Sequence, residues 1–159
     1  MVRSNSTVTM LAVLSALVLT LAACVDHGHI YSHYRSVGGE GWQREDTVGI
    51  VLGPVRQGGQ YAEEFGLRTN SHYPFMQLAM IVEQEARPSG FRRTDTLCAR
   101  LTDDEGYVKG EGISHYQYRF PLSSVLLADG DTLSLRIRHN MMRSPLAGVT
   151  DVGFTIIQE

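Results

Sequence analysis

Thr132-Leu133-Ser134-Leu135-Arg136-Ile137-Arg138 sends Leu133, Leu135 and Ile137 to one side and Ser134, Arg136 and Arg138 to the other. Only a pleated strand with one face buried puts successive side chains on opposite sides in this way. The same period of two recurs along the chain. Val48, Ile50 and Leu52 carry it first. Met76, Leu78, Met80 and Val82, then Leu97, Ala99 and Leu101, then Tyr116, Tyr118 and Phe120, and finally Val152, Phe154 and Ile156 repeat it, and Tyr61 to Arg68 adds a further run. Turn residues separate these runs: Gly53-Pro54, Gly58-Gly59, Pro88-Ser89-Gly90, Asp104-Glu105-Gly106 and Asp129-Gly130-Asp131. The pattern predicts an all-β antiparallel β-sandwich, jelly-roll-like, of seven or eight strands. Ser123 to Leu127 is the one place in this part where a single helical turn is expected.

The first 23 residues read differently. Arg3 is followed by an apolar run from Val8 to Leu21, too short for a permanent membrane span of about 20 residues. Leu21-Ala22-Ala23-Cys24 closes it, and resembles the lipobox of bacterial lipoproteins: leucine, two small residues that fit a peptidase groove, and a thiol that accepts a diacylglycerol group. The expected organisation is therefore a signal helix over 1–23, cleavage between Ala23 and Cys24, a lipidated tether over 24–40, and a β-sandwich over 41–159. More than one acyl chain on Cys24, at about 0.8 kcal/mol per buried CH₂, makes anchoring stable.

Of the 14 Lys and Arg, only Arg3 lies in the leader, so the remainder carries 13 basic against 17 acidic side chains, with Lys109 its single lysine. That balance offers no basic stripe for nucleic acid and no polybasic patch for a membrane surface. With Cys24 acylated, Cys98 is left alone; no disulfide is expected, and the thiol is expected as a small buried hydrophobe.

Candidate chemistry is sparse. His27, His29 and His33 have metal-ligand residue type but sit on the tether, where nothing fixes the rings, so no metal site is expected. Asp103-Asp104-Glu105-Gly106 is read as a solvated hairpin before a calcium loop. Glu83 and Glu85 share one strand face, about 7 Å apart, and are the nominal pair for glycoside hydrolysis; they are read as a solvated end of an edge strand. Neither a nucleophile elbow nor a phosphate-cradling glycine loop appears, and no catalytic residue or cofactor is assigned. Trp42 and Tyr73 are candidates for a partner or glycan surface, Trp42 with its ring over one end of the sandwich. Asp46-Thr47-Val48, Asp95-Thr96-Leu97 and Asp131-Thr132-Leu133 are each expected to open a strand. They also look like the O-glycosylation acceptor pattern of Bacteroidetes, which makes Thr47, Thr96 and Thr132 candidate glycan sites.

Several segments, in order, resemble one family. They are the lipobox, Tyr31-x-x-Tyr34, Gly41-Trp42 with Asp46-Thr47, Leu67-Arg68-Thr69-Asn70-x-x-Tyr73-Pro74-Phe75, Asp95-Thr96-Leu97, Gly110-x-Gly112, and Gly148-Val149-x-Asp151-Val152-Gly153. Together they resemble the GldH family of gliding-motility-associated lipoproteins of Bacteroidetes. The resemblance implies a non-enzymatic cell-envelope protein, in the outer membrane on its periplasmic face or at the cell surface. Its partners would be the membrane, through the acyl anchor, and other envelope proteins of a gliding or type IX secretion assembly. A glycan-binding lipoprotein module is the alternative.

Overall fold

The computed structural model describes residues 29–159. Nine strands form two antiparallel sheets: β1 (Ile30–Ser36), β2 (Val48–Leu52), β3 (Gly59–Asn70), β4 (Gln77–Arg87), β5 (Arg92–Arg100), β6 (His115–Pro121), β7 (Val125–Leu127), β8 (Thr132–His139) and β9 (Val149–Gln158). One sheet runs β1-β9-β3-β6, with β7 beside β3; the other runs β2-β8-β4-β5. Chain neighbours mostly fall in opposite sheets, which is the jelly-roll order.

The alternation read from the sequence is what fills the space between the sheets. Leu133, Leu135 and Ile137 meet Ile50 and Leu52, Leu78, Met80 and Val82, and across the gap Tyr61, Phe65, Leu67, Val152, Phe154 and Ile156, all buried. Register holds the pattern, because a one-residue slip would turn every one of these side chains to water. Ile50 lies opposite Leu135, and Val82 opposite Ile137.

Several expectations change. Residues 30–36, placed in the tether, form β1 and pair with β9 from Ile30–Ile157 to Ser36–Asp151, so the sheet begins at Ile30 rather than at 41. Alternation gave no warning, since most of β1 is exposed at an edge. Ser123 to Leu127 makes no helical turn: Val125 and Leu127 are buried around exposed Leu126, the signature of the short strand β7. Met76 is half exposed because β4 starts one residue later. Cys98 is exposed. The reason is the stripe itself: Ala99 is buried and Leu97 packs against the core, so the residue between them points outward.

The strands give the sandwich two unlike ends. Short turns at 53–58, 88–91, 122–124 and 128–131 gather where β1 begins and β9 finishes. Long loops at 37–47, 71–76, 101–114 and 140–148 gather at the other end.

At the turn end, buried Asp131 ties three turns together. Its Oδ1 accepts from the Ser89 amide and its Oδ2 from the Ala128 amide, each at 2.9 Å, while its carbonyl accepts from Val55 N at 2.8 Å. Gly53, at φ +102°, lies so close that a Cβ there would sit 2.8 Å from the Asp131 carbonyl oxygen. Burial alone would raise the Asp131 pKa, but the hydrogen bonds from Ser89 and Ala128 outweigh it and hold the carboxyl below its ordinary value.

Candidate functional site

Segments singled out in the sequence converge on the loop-rich end. Trp42 exchanges both backbone hydrogen bonds with Leu146, at 3.0 and 2.8 Å, and its Nε1 donates to the Asp46 carbonyl at 3.0 Å. Gly41, at φ +99°, permits this approach; a Cβ there would lie 2.8 Å from the Leu146 oxygen. The indole meets His139 edge-on, centroids 5.3 Å apart, and both rings are buried. Burial pushes the His139 pKa down, with Arg44 adding to it, against the opposing influences of Trp42 and Glu45. The ring is thus a core histidine, its Nδ1 accepting from the Met141 amide at 3.3 Å. Trp42 has no exposed surface, which corrects the expectation of a stacking platform: the indole fills the end of the core. Tyr73 is half-buried, its hydroxyl donating to the Gln77 carbonyl at 2.9 Å. Its backbone lies where a Cβ on Gly148 would be, and Asn70 N donates to the Gly148 carbonyl at 2.8 Å. Burial also raises the pKa of the Tyr73 hydroxyl. Between these loops and the end of β1 lies an open cleft of about 540 Å³, with Gly38, Glu40, Gly41, His72, Gly148 and Asp151 among its lining residues.

The loop-rich end also carries exposed apolar side chains that the sequence reading did not identify as a surface: Met76, Tyr107, Val108, Ile113 and Met142. Met142 and Ile113 are almost fully exposed, at 98% and 94%. Monomeric proteins leave single apolar residues in water routinely, so the informative feature is that all five lie on loops of the same end.

The acidic candidates are engaged in structural pairing. Glu83 and Glu85 share the outer face of β4, which is a central strand and not an edge. Glu85 accepts from Arg87 at 2.9 Å and Arg92 at 2.8 Å, and these bonds hold its carboxyl below the ordinary value. A general acid needs the opposite shift. Glu83 faces Arg136 at 3.9 Å. In the hairpin after β5, Asp103 Oδ1 accepts from the Tyr107 amide at 2.8 Å, and Asp104 pairs with Arg100 at 2.9 Å. His29 hydrogen-bonds Gln158 Oε1 at 3.2 Å. His33 lies four residues on, about 13 Å along extended chain, too far for both rings to reach one ion. His27 lies outside the described residues, as do Ala23 and Cys24. Among the described residues no three His, Cys, Asp or Glu groups come together as metal ligands.

A buried carboxylate was missed. Glu63 on β3 is buried between the sheets, with its Oε2 on the Arg93 guanidinium and 3.5 Å from Gln84 Nε2. Arg93 also reaches Asp95 at 2.7 Å and the Ser124 carbonyl at 3.3 Å. Burial raises the Glu63 pKa despite Arg93, which pulls it down. Glu63 Oε1 and Gln84 Oε1 have no hydrogen-bond partner. The signal was present, since Tyr61, Glu63 and Phe65 share one side of the strand.

Of the threonines, Thr47 is exposed in the loop before β2, and Thr132 is half-buried at the start of β8. Thr96 is exposed in the middle of β5 and does not open a strand as expected, because β5 already starts at Arg92.

The model of the GldH lipoprotein family matches residues 29–156, nearly all of this sandwich. The chain belongs to the GldH lipoprotein family. A GldH relative, the gliding motility lipoprotein GldH of Flavobacterium johnsoniae, is 29% identical over 153 residues, spanning 89% of this chain and 95% of its own. Among solved structures, Eiger TNF from S. frugiperda is similar over 84% of this chain and 93% of its own, at 11% identity and TM-score 0.38. Murine APRIL is similar over 80% and 98%, at 14% identity and TM-score 0.36. Scores at this level carry no argument about a GldH protein.

Proposed function

We propose that this GldH-family protein is a non-enzymatic accessory component of a gliding-motility and type IX secretion assembly, held to the outer membrane by acyl chains on Cys24. Family membership over 29–156 carries the reading, together with the name of the Flavobacterium relative. In this reading contact is made at the loop-rich end. Met76, Tyr107, Val108, Ile113 and Met142 stand out from the loop-rich end, away from the start of β1, and present apolar anchors to another envelope protein. The exposed Thr47 and Thr96, with Thr132 at the β8 turn, are the O-glycan acceptors in this reading.

The test is deletion of the gene in its native host with paired assays of colony spreading and secreted-protein release. Wild type restores both. Cys24→Ala and a Met142→Asp/Ile113→Asp double variant each fail to restore spreading, while the double variant still incorporates an acyl probe. Normal spreading of the deletion strain, or full rescue by both variants, refutes the reading.

A further inference from the structure

The outer face of the β1-β9-β3-β6 sheet changes character row by row. Nearest the turn end, Ile30, Ile157 and Ala62 lie side by side across three strands. Leu126 on β7 flanks them, opposite Gln60. Ile30 and Leu126 are 61% and 69% exposed, and Ile157 is 36% exposed. The next row is Ser32, Thr155, Glu64 and Pro121, then comes Tyr34 with Gly153, Gly66 and Arg119, and the last is Ser36, Asp151, Arg68 and Gln117. The large exposed aliphatic side chains of this face are thus confined to the row where the chain enters the sandwich.

That position is also where the acyl anchor must lie. Five residues, Cys24 to Gly28, precede His29, and chain of that length spans at most about 18 Å even fully extended. The twelve residues of β3 run about 40 Å from the turn end to the loop-rich end. The anchor point at Cys24 therefore lies within reach of the Ile30 row and out of reach of the loops at 101–114 and 140–148.

We propose that Ile30, Ile157 and Leu126 form a lipid-contacting patch that seats the turn end of the sandwich on the bilayer and points the loop-rich end away from it. This rests on acylation of Cys24 as proposed above. An acyl chain alone fixes the domain at a point and leaves it free to tumble; an aliphatic row beside the anchor converts that point into an orientation.

The experiment uses the full chain, acylated in its host, purified and reconstituted in phosphatidylethanolamine–phosphatidylglycerol vesicles carrying brominated acyl chains. Tryptophan is introduced as Leu126→Trp or, on the opposite sheet, as Arg138→Trp; buried Trp42 supplies the common background. An interfacial residue that enters the acyl boundary is expected to be quenched at least about twofold more than one that does not. Leu126→Trp should show this, Arg138→Trp should not, and adding Ile30→Ser with Ile157→Ser should remove it without releasing protein from the vesicles. Equal quenching of the two reporters in protein whose intact mass carries the acyl groups overturns the patch and leaves the anchor standing. An intact mass without acyl groups overturns the anchor and the patch with it. Shielding of Leu126→Trp that appears only on adding other envelope proteins assigns the row to a protein partner and overturns the lipid assignment.

Discussion

Asp131→Ala removes the hub of the turn end. The two carboxylate oxygens each accept one amide, from Ser89 and from Ala128. Hydrogen bonds to a charged group contribute about 1.5–3 kcal/mol each, and Ser89 and Ala128 are exposed residues whose freed amides water can reach, which puts each at the low end. The expected loss is about 3 kcal/mol in total, or a midpoint shift of roughly 1.5 M urea at an m value of about 2 kcal/mol/M. Trp42, the single tryptophan and wholly buried, reports unfolding by its fluorescence. Acid adds a second readout. The folded carboxyl has its pKa below the unfolded value, so its stabilisation is complete above the ordinary carboxylate range and is lost as pH falls through the folded pKa. Asp131→Ala should therefore lose most at pH 7 and converge on wild type in strong acid. A loss under about 1 kcal/mol at pH 7, or a gap that stays constant down to pH 2, refutes the hub.

Four further outcomes follow from packing and burial. Gly153→Val should cost about 2 kcal/mol in wild type and much less in a Tyr34→Ala background, by thermal unfolding of the four proteins, because a Cβ there meets the Tyr34 ring at 2.5 Å. Arg93→Met should destabilise by about 3 kcal/mol by leaving Glu63 buried alone, whereas Glu63→Leu with Arg93→Met should be close to neutral in the same urea assay. Because the folded Glu63 pKa is raised, its contribution is fully present below the unfolded value and declines as pH rises through the folded one; Glu63→Gln should flatten that decline. Cys98 should react with one equivalent of maleimide in the folded protein, and protection until urea is added would contradict its outward placement.

Much of the jelly roll was legible because water decides it locally. A strand with Leu133, Leu135 and Ile137 on one side has one way to face a core, and the Gly and Asp turns mark where each strand stops. What was not legible depends on partners far along the chain. β1 has exposed neighbours and little alternation, and becomes a strand because β9, over a hundred residues later, offers an edge. Trp42 lies among glycines, where a large ring reads as a surface feature; its burial is settled by backbone pairing with Leu146. Cys98 shows residue-type tendency losing to register. The gathering of Met76, Tyr107, Val108, Ile113 and Met142 has no sequence signal at all, since the five come from separate loops that only the assembled sandwich brings to one end.

The place of β1 has a mechanical consequence. Tyr34 lies flat across Gly153 and Gly66 with the Arg68 guanidinium 4.5 Å from its ring centre, so this edge strand is clasped to the sheet as well as hydrogen-bonded to it. A pull transmitted between the chain ahead of Ile30 and the far loops runs along the strand axis, loading every rung from Ile30 to Ser36 at once rather than peeling them singly. Such a shear-loaded joint resists traction far better than an unzipping one.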